Sequence, residues 1–155
     1  MLTYREYRPP AGLRACVECL WLISDARARA GRPLEHVIPD GCPEIVVHLA
    51  DPFAREVRGR WRRQPMAFLA GTLSRPWRLR PGRRVLTLGI RLRPAALTRL
   101  FNVDMAAATD REWPLARLVG EEQASALLRA LGRADTPARR VAVARRWLLR
   151  VAPPT

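Results

Sequence analysis

The chain has 155 residues, 48% of them apolar, which suffices for one domain with a single core and argues against disorder. Every apolar run is shorter than the roughly 18–20 residues of a membrane span. The stretch Met1–Glu6 lacks the pattern of a signal peptide, so a cytoplasmic location and no membrane partner are expected. The net charge is +14, and all 28 basic residues are Arg with no Lys. That bias points to GC-rich coding, and the arginines are spread along the chain rather than gathered in one stripe, so the charge is weak evidence for nucleic-acid contact.

Residues 1–93 are rich in Pro, Gly and short apolar runs, and residues 94–155 are rich in Ala, Leu and Arg at helical spacing. The front is expected to be β-rich and the back a small helical part of the same domain. Cys16–Ile23 reads as a buried strand. His36–Ile38 and Glu44–Leu49 flank Pro39-Asp40-Gly41, a turn in which Pro presets φ, Asp bonds the backbone ahead and Gly accepts positive φ. The two runs are therefore expected to be neighbours in one antiparallel sheet. Residues 51–63 look like a hairpin, Met66–Gly71 like a short strand, and Arg75–Leu79 and Val85–Leu92 like two more, separated by Pro81-Gly82. In the last run Leu86, Leu88, Ile90 and Leu92 alternate with Thr87, Gly89 and Arg91, the period of a half-buried strand. Short strands at this spacing suggest a β-sandwich or barrel.

Pro94 suits the first helical position of a helix over Pro94–Phe101. Trp113–Val119 reads as a short helix entered through Pro114. Glu121–Leu131 begins with acids, as a helix N-terminus prefers, and Gly132 is placed to close it. Thr136-Pro137 is a cap followed by Pro at N1, opening a helix to about Val151, before Pro153-Pro154. Its stripe of Val141, Ala144, Leu148 and Val151, with Trp147 beside it, must be buried against the sheet, another helix or a second subunit, and a homodimer interface at Val141, Ala144, Trp147 and Leu148 is a separate expectation.

Catalytic chemistry finds little footing. Cys16 and Cys19 have zinc-knuckle spacing, but in a strand positions i and i+3 face opposite ways, and no second C-x-x-C exists. Reduced, mostly buried thiols are the expected state. Glu44 and His48 share a strand face about 13 Å apart, too far to hold one metal. No G-x-S-x-G and no phosphate-cradling Gly loop is present. No enzyme, cofactor or metal is therefore expected. Trp21, Trp61 and Trp77 of the front are expected mostly in the core, and one or two of them facing a cavity would wall a pocket for a small molecule. Arg91 is expected to pair with a carboxylate, either Asp40 or Glu44 of its own chain or that of a ligand, the internal pair being favoured.

The order Trp21, Ile38-Pro39-Asp40-Gly41-Cys42-Pro43-Glu44-Ile45-Val46, Gly71 with Arg75-Pro76 and Leu79, then Leu88-Gly89-Ile90-Arg91-Leu92-Arg93-Pro94 resembles the N-terminal sensor domain of a branch of AraC-type transcription regulators. A helix ending Leu100-Phe101 and a last helix from Pro137 complete the likeness. The resemblance implies an α+β fold, a cupin-like β-sandwich or barrel followed by a C-terminal helical subdomain. It also implies that the front binds a small-molecule effector and that the helices pair two chains. DNA would be contacted only through a helix-turn-helix half absent from these residues. Trp21, Asp40, Glu44, His48, Trp77 and Arg91 are the expected ligand-binding residues. The rival expectations are a cupin-like metalloenzyme and a small basic nucleic-acid-binding protein.

Overall fold

The computed structural model describes residues 2–152. Ten strands and five helices alternate little: β1 (Thr3–Tyr7), β2 (Val17–Asp25), β3 (Glu35–Val37), β4 (Glu44–His48), β5 (Ala54–Val57), β6 (Arg60–Arg63), β7 (Ala67–Ala70), β8 (Trp77–Arg80) and β9 (Val85–Leu92) come first. Then come α1 (Ala96–Phe101), α2 (Met105–Ala108), β10 (Glu112–Pro114), α3 (Leu115–Val119), α4 (Glu121–Arg133) and α5 (Pro137–Val151). The strands form a six-stranded sheet, order β1-β2-β9-β4-β7-β10, and a four-stranded sheet, order β3-β8-β5-β6. All pairings are antiparallel. The fold is thus a β-sandwich with a helical part, the class expected from the sequence.

The large sheet is the middle layer. Leu20 and Leu22 of β2, Ile45 and Val47 of β4, Leu69 of β7 and Leu88, Ile90 and Leu92 of β9 join one buried cluster with Leu97, Leu127, Leu131, Val141, Ala144, Trp147 and Leu148 of the helices. Every second residue of those strands points the other way, toward the small sheet, as a period of two requires. Burial of this many apolar side chains at about 25 cal/mol per Å² makes the helix-side layer the main source of stability.

Several local expectations hold. Residues 51–63 form the β5–β6 hairpin, turned at Arg58 and Gly59 with φ of 51° and 78°. Two central residues with positive φ are what a tight two-residue hairpin turn needs. Thr136 caps α5, its side chain accepting from the Arg139 amide at 3.1 Å, with Pro137 in the first turn. Asp40 accepts from the Cys42 amide at 2.9 Å, and Gly41 has φ +76°.

Other expectations are corrected. The Pro39-Asp40-Gly41 turn does not join sheet neighbours: β3 pairs with β8 in the small sheet and β4 with β7 and β9 in the large one. Turn chemistry fixes a change of direction but not the partner that each strand then finds. β9 is not half-buried: its leucine face meets the helices, and Thr87 and Gly89 of its other face are buried too. α1 starts at Ala96, because Ala95 takes the left-handed conformation with φ 69°. Trp113 belongs to the edge strand β10, opposite Leu69, and only Leu115–Val119 is helical. α4 runs through Gly132 to Arg133 and is capped at Ala134. Val141, Ala144, Trp147 and Leu148 are at most 1% exposed inside their own chain, so of the burial partners open to the stripe it is the chain's own fold that covers these four. Their stripe is buried on the large sheet, and Trp147 Nε1 donates to the Gln123 carbonyl at 3.0 Å. Met1 and Pro153-Pro154, read from sequence as the start and the helix stop, lie outside the described residues.

Candidate functional site

Between the two sheets lies a cavity of about 280 Å³. Trp21 and Ile23 of β2, Glu44, Val46 and His48 of β4, Phe68 and Ala70 of β7 and Thr87 and Arg91 of β9 face it from the large sheet. Glu35, Val37, Trp77 and Leu79 face it from the small one, and Tyr4, Ile38, Asp40 and Cys42 also line it. All six residues singled out from sequence line this cavity: Trp21, Asp40, Glu44, His48, Trp77 and Arg91. The alternation of β4 and β9 puts the polar ones on a common face.

One polar group is centred on Glu44. Its Oε1 accepts from Trp21 Nε1 at 2.9 Å and from Arg91 Nε at 3.1 Å. Arg91 is therefore paired within its own chain, as favoured from sequence. Its Nη1 reaches Glu6 Oε2 at 3.4 Å and its Nη2 donates to Tyr4 Oη at 3.2 Å, while Tyr4 donates to Glu6 at 2.7 Å. Burial pushes the Glu44 carboxyl up, against the pull of Trp21 and Arg91. Gly89 makes this group possible. A Cβ there would stand 1.9 Å from Trp21 Cε2, so the indole lies directly across the β9 backbone.

The second polar group is centred on His48, which is 2% exposed and stacked on Phe53 with ring centroids 5.2 Å apart. Its Nδ1 lies 2.9 Å from Thr87 Oγ1 and its Nε2 2.9 Å from Gln64 Oε1. Gln64 Nε2 donates to Glu112 at 2.7 Å. A carbonyl oxygen only accepts, so Nε2 carries the proton and Nδ1 accepts from the threonine hydroxyl. Burial lowers the His48 pKa, so the ring is neutral. Burial also raises the Glu112 carboxyl, against the pull of Arg55 and Gln64.

The cysteines behave as expected from their faces. Cys16 joins the helix-side cluster, and Cys19 senses Arg91, Glu6, Glu18 and Glu44 on the other side. The three cysteines are free thiols, and burial pushes Cys19 and Cys42 up to about 11. A thiol so protonated at neutral pH is a poor nucleophile. Among the described residues no group of three or more His, Cys, Asp or Glu is placed to hold a metal. No described helix is long and apolar enough to cross a membrane.

Sequence reasoning missed Tyr4, Glu6, Gln64 and Glu112. β1 carries four exposed residues in five and offers no apolar pattern. Gln64 and Glu112 stand beside prolines or in a three-residue strand, where periodicity gives no signal.

Residues 5–114 match the model of a family described as Domain of unknown function (DUF6597). The chain belongs to that family. The match takes in all of the cavity's lining from Trp21 onward and ends with β10, before α3. No curated protein matches the sequence. Among solved structures, this family member is similar to a cupin domain of an XRE-family transcriptional regulator from Enterobacter cloacae. The identity is 15% over 59% of this chain and 95% of that one, with a TM-score of 0.41. It is also similar to the AraC-like transcriptional activator CuxR, at 12% identity and a TM-score of 0.39, over 99% of this chain and 64% of that chain.

Proposed function

We propose that this chain is an effector-sensing domain of a transcription regulator, a binding module and not an enzyme. A small molecule enters between the sheets, and the large sheet passes its presence to the helices. The observation that carries this reading is the cavity itself: aromatic walls, two convergent polar groups and a size suited to a small organic molecule. The motif order shared with AraC-type sensor domains supports the regulatory part, with DNA contacted by a helix-turn-helix half outside these residues. Two routes lead from the cavity to the helices. β4 and β9 line it on one face and hold the helices on the other. The His48–Gln64–Glu112 chain ends on β10, whose last residue adjoins α3.

A ligand that binds only the folded state raises its melting temperature. A thermal-shift screen of this chain against a diverse small-molecule library is expected to give hits. A cavity-filling Val46→Trp variant, shown folded by circular dichroism, is expected to lose them. A screen without hits, or hits indifferent to Val46→Trp, overturns the reading.

A second reading, direct contact with nucleic acid, has one observation behind it. Trp61 of β6 lies 4.2 Å beneath the Arg80 guanidinium and 6.0 Å from that of Arg78, and Arg63 lies two residues along the same strand. Aromatic and Arg side chains on one sheet can stack and neutralise single strands. Steeply salt-dependent binding of an oligonucleotide, lost in Trp61→Ala, would establish it.

A further inference from the structure

The cavity carries the opposite charge to the molecule around it. The chain has a net charge of +14, yet the charged residues lining the cavity are Glu35, Asp40 and Glu44 against Arg91 alone. Glu6 and Glu18 stand just behind them, on Arg91 and Cys42.

Open hydrogen-bonding capacity on the carboxylates points the same way, although Arg55 Nη1, buried against the Trp77 ring, also lacks a partner among the described residues. Each of the three Arg91 nitrogens already reaches an internal partner. Trp21 Nε1 donates to Glu44, Tyr4 Oη to Glu6, and the His48 and Gln64 donors serve their own chain of bonds. The acceptors are not used up. Glu44 has both of its bonds on Oε1, and Asp40 has its bond on Oδ1. Glu44 Oε2 and Asp40 Oδ2 make no hydrogen bond among the described residues. Trp21 bonds Glu44, Tyr4 lies beside Trp21 with ring centroids 6.1 Å apart, and Trp77 also lines the cavity. Aromatic faces attract cations and flat apolar bodies alike.

Building on the small-molecule reading above, we infer that the ligand is an organic cation: a protonated amine on a flat, apolar body, its ammonium held by Glu44 and Asp40. An anionic ligand would have to share the Arg91 guanidinium with Glu44, Glu6 and Tyr4, which already engage each of its nitrogens, and sit beside the carboxylates. The long-range field of the arginine-rich surface draws anions to the outside of the protein, while the cavity selects against them.

The test uses three indoles of matched shape: tryptamine as the cation, indole-3-propionate as the anion and 3-ethylindole as the neutral body. Binding to the 155-residue chain is measured by calorimetry at pH 7. Tryptamine is expected to bind at least tenfold tighter than the other two. Glu44→Gln is expected to weaken tryptamine at least tenfold and leave 3-ethylindole within about twofold. Asp40→Asn keeps the turn's Oδ1 acceptor and is expected to weaken tryptamine about threefold or more, so the idea stays testable if Glu44→Gln fails to fold. Tighter binding of indole-3-propionate, or equal binding of all three, overturns the charge assignment and leaves the cavity a small-molecule site. Binding of none at millimolar concentration overturns this inference, while hits of other chemistry in the library screen would still sustain the sensor reading.

Discussion

The two faces of the six-stranded sheet are made by the same strands and are filled in opposite ways. Toward the helices, Leu88, Ile90, Leu92, Ile45 and Val47 are each 0% exposed and meet Trp147, Leu127 and Leu97 in a continuous cluster. Toward the small sheet, the neighbouring positions Thr87, Arg91, Glu44, Val46 and His48 surround a cavity of about 280 Å³. A layer packed to crystal-like density resists change in volume by even one methylene. A layer left open gives up that packing energy and gains room for a guest. The molecule is held together from one side of the sheet and is available for binding on the other.

The contrast can be broken most directly with Trp147→Ala, which empties a fully buried site on the packed face. A loss of about 3–5 kcal/mol is expected in urea denaturation. A loss under about 1 kcal/mol would mean that the helices are not the main support. Next comes Gly89→Ala, where the new methyl group collides with the Trp21 ring. Overpacking of this kind costs about 1–3 kcal/mol. It should also shift tryptophan fluorescence and weaken any cavity ligand, since Trp21 must leave Glu44. The sharpest comparison uses adjacent residues and the same substitution. Val47→Ala on the packed face should cost about 2 kcal/mol, while Val46→Ala beside the cavity should cost about 1 kcal/mol or less. Equal costs would show that the two faces do not differ.

The smallest expected effect is a pH dependence. Burial holds the His48 pKa below its ordinary 6.5, so the unfolded chain binds a proton that the folded one rejects. That contribution is full above pH 6.5 and is lost as pH falls below it, by at most about 1.4 kcal/mol per pH unit. Glu44 and Glu112 act in the opposite sense, since burial raises both above their ordinary 4.5. Their contributions are present at low pH and are lost as pH rises through the folded-state values. Denaturation at pH 5 and 7 should therefore show a smaller acid-side loss in His48→Gln than in the parent chain. Identical losses would place the acid sensitivity elsewhere.

Sequence showed the strands best where alternation was strong. Val85–Leu92 was bounded correctly because four aliphatic residues stand at a strict period of two. The same period is why residues picked separately from β4 and β9 face one space. The partner of each run was not legible. Nothing in Pro39-Asp40-Gly41 says whether the chain turns back into its own sheet or crosses to another. Nor does the stripe on α5 say whether it meets a second chain or its own sheet; only the rest of the fold decides that. β1 was invisible because its exposed TYREY segment is held by backbone pairing with β2 rather than by apolar burial. Gly132 misled because a stop signal is only a local preference, and tertiary packing carried α4 past it.

The indole laid across Gly89 also constrains how this protein can change over time. A central strand disfavours glycine, and valine or threonine would serve β9 better on its own terms. Neither can appear there while Trp21 stays. Nor does a small residue at position 21 leave any reason to keep the glycine. Positions 21 and 89 are sterically coupled, and among related chains they are expected to be exchanged together or not at all.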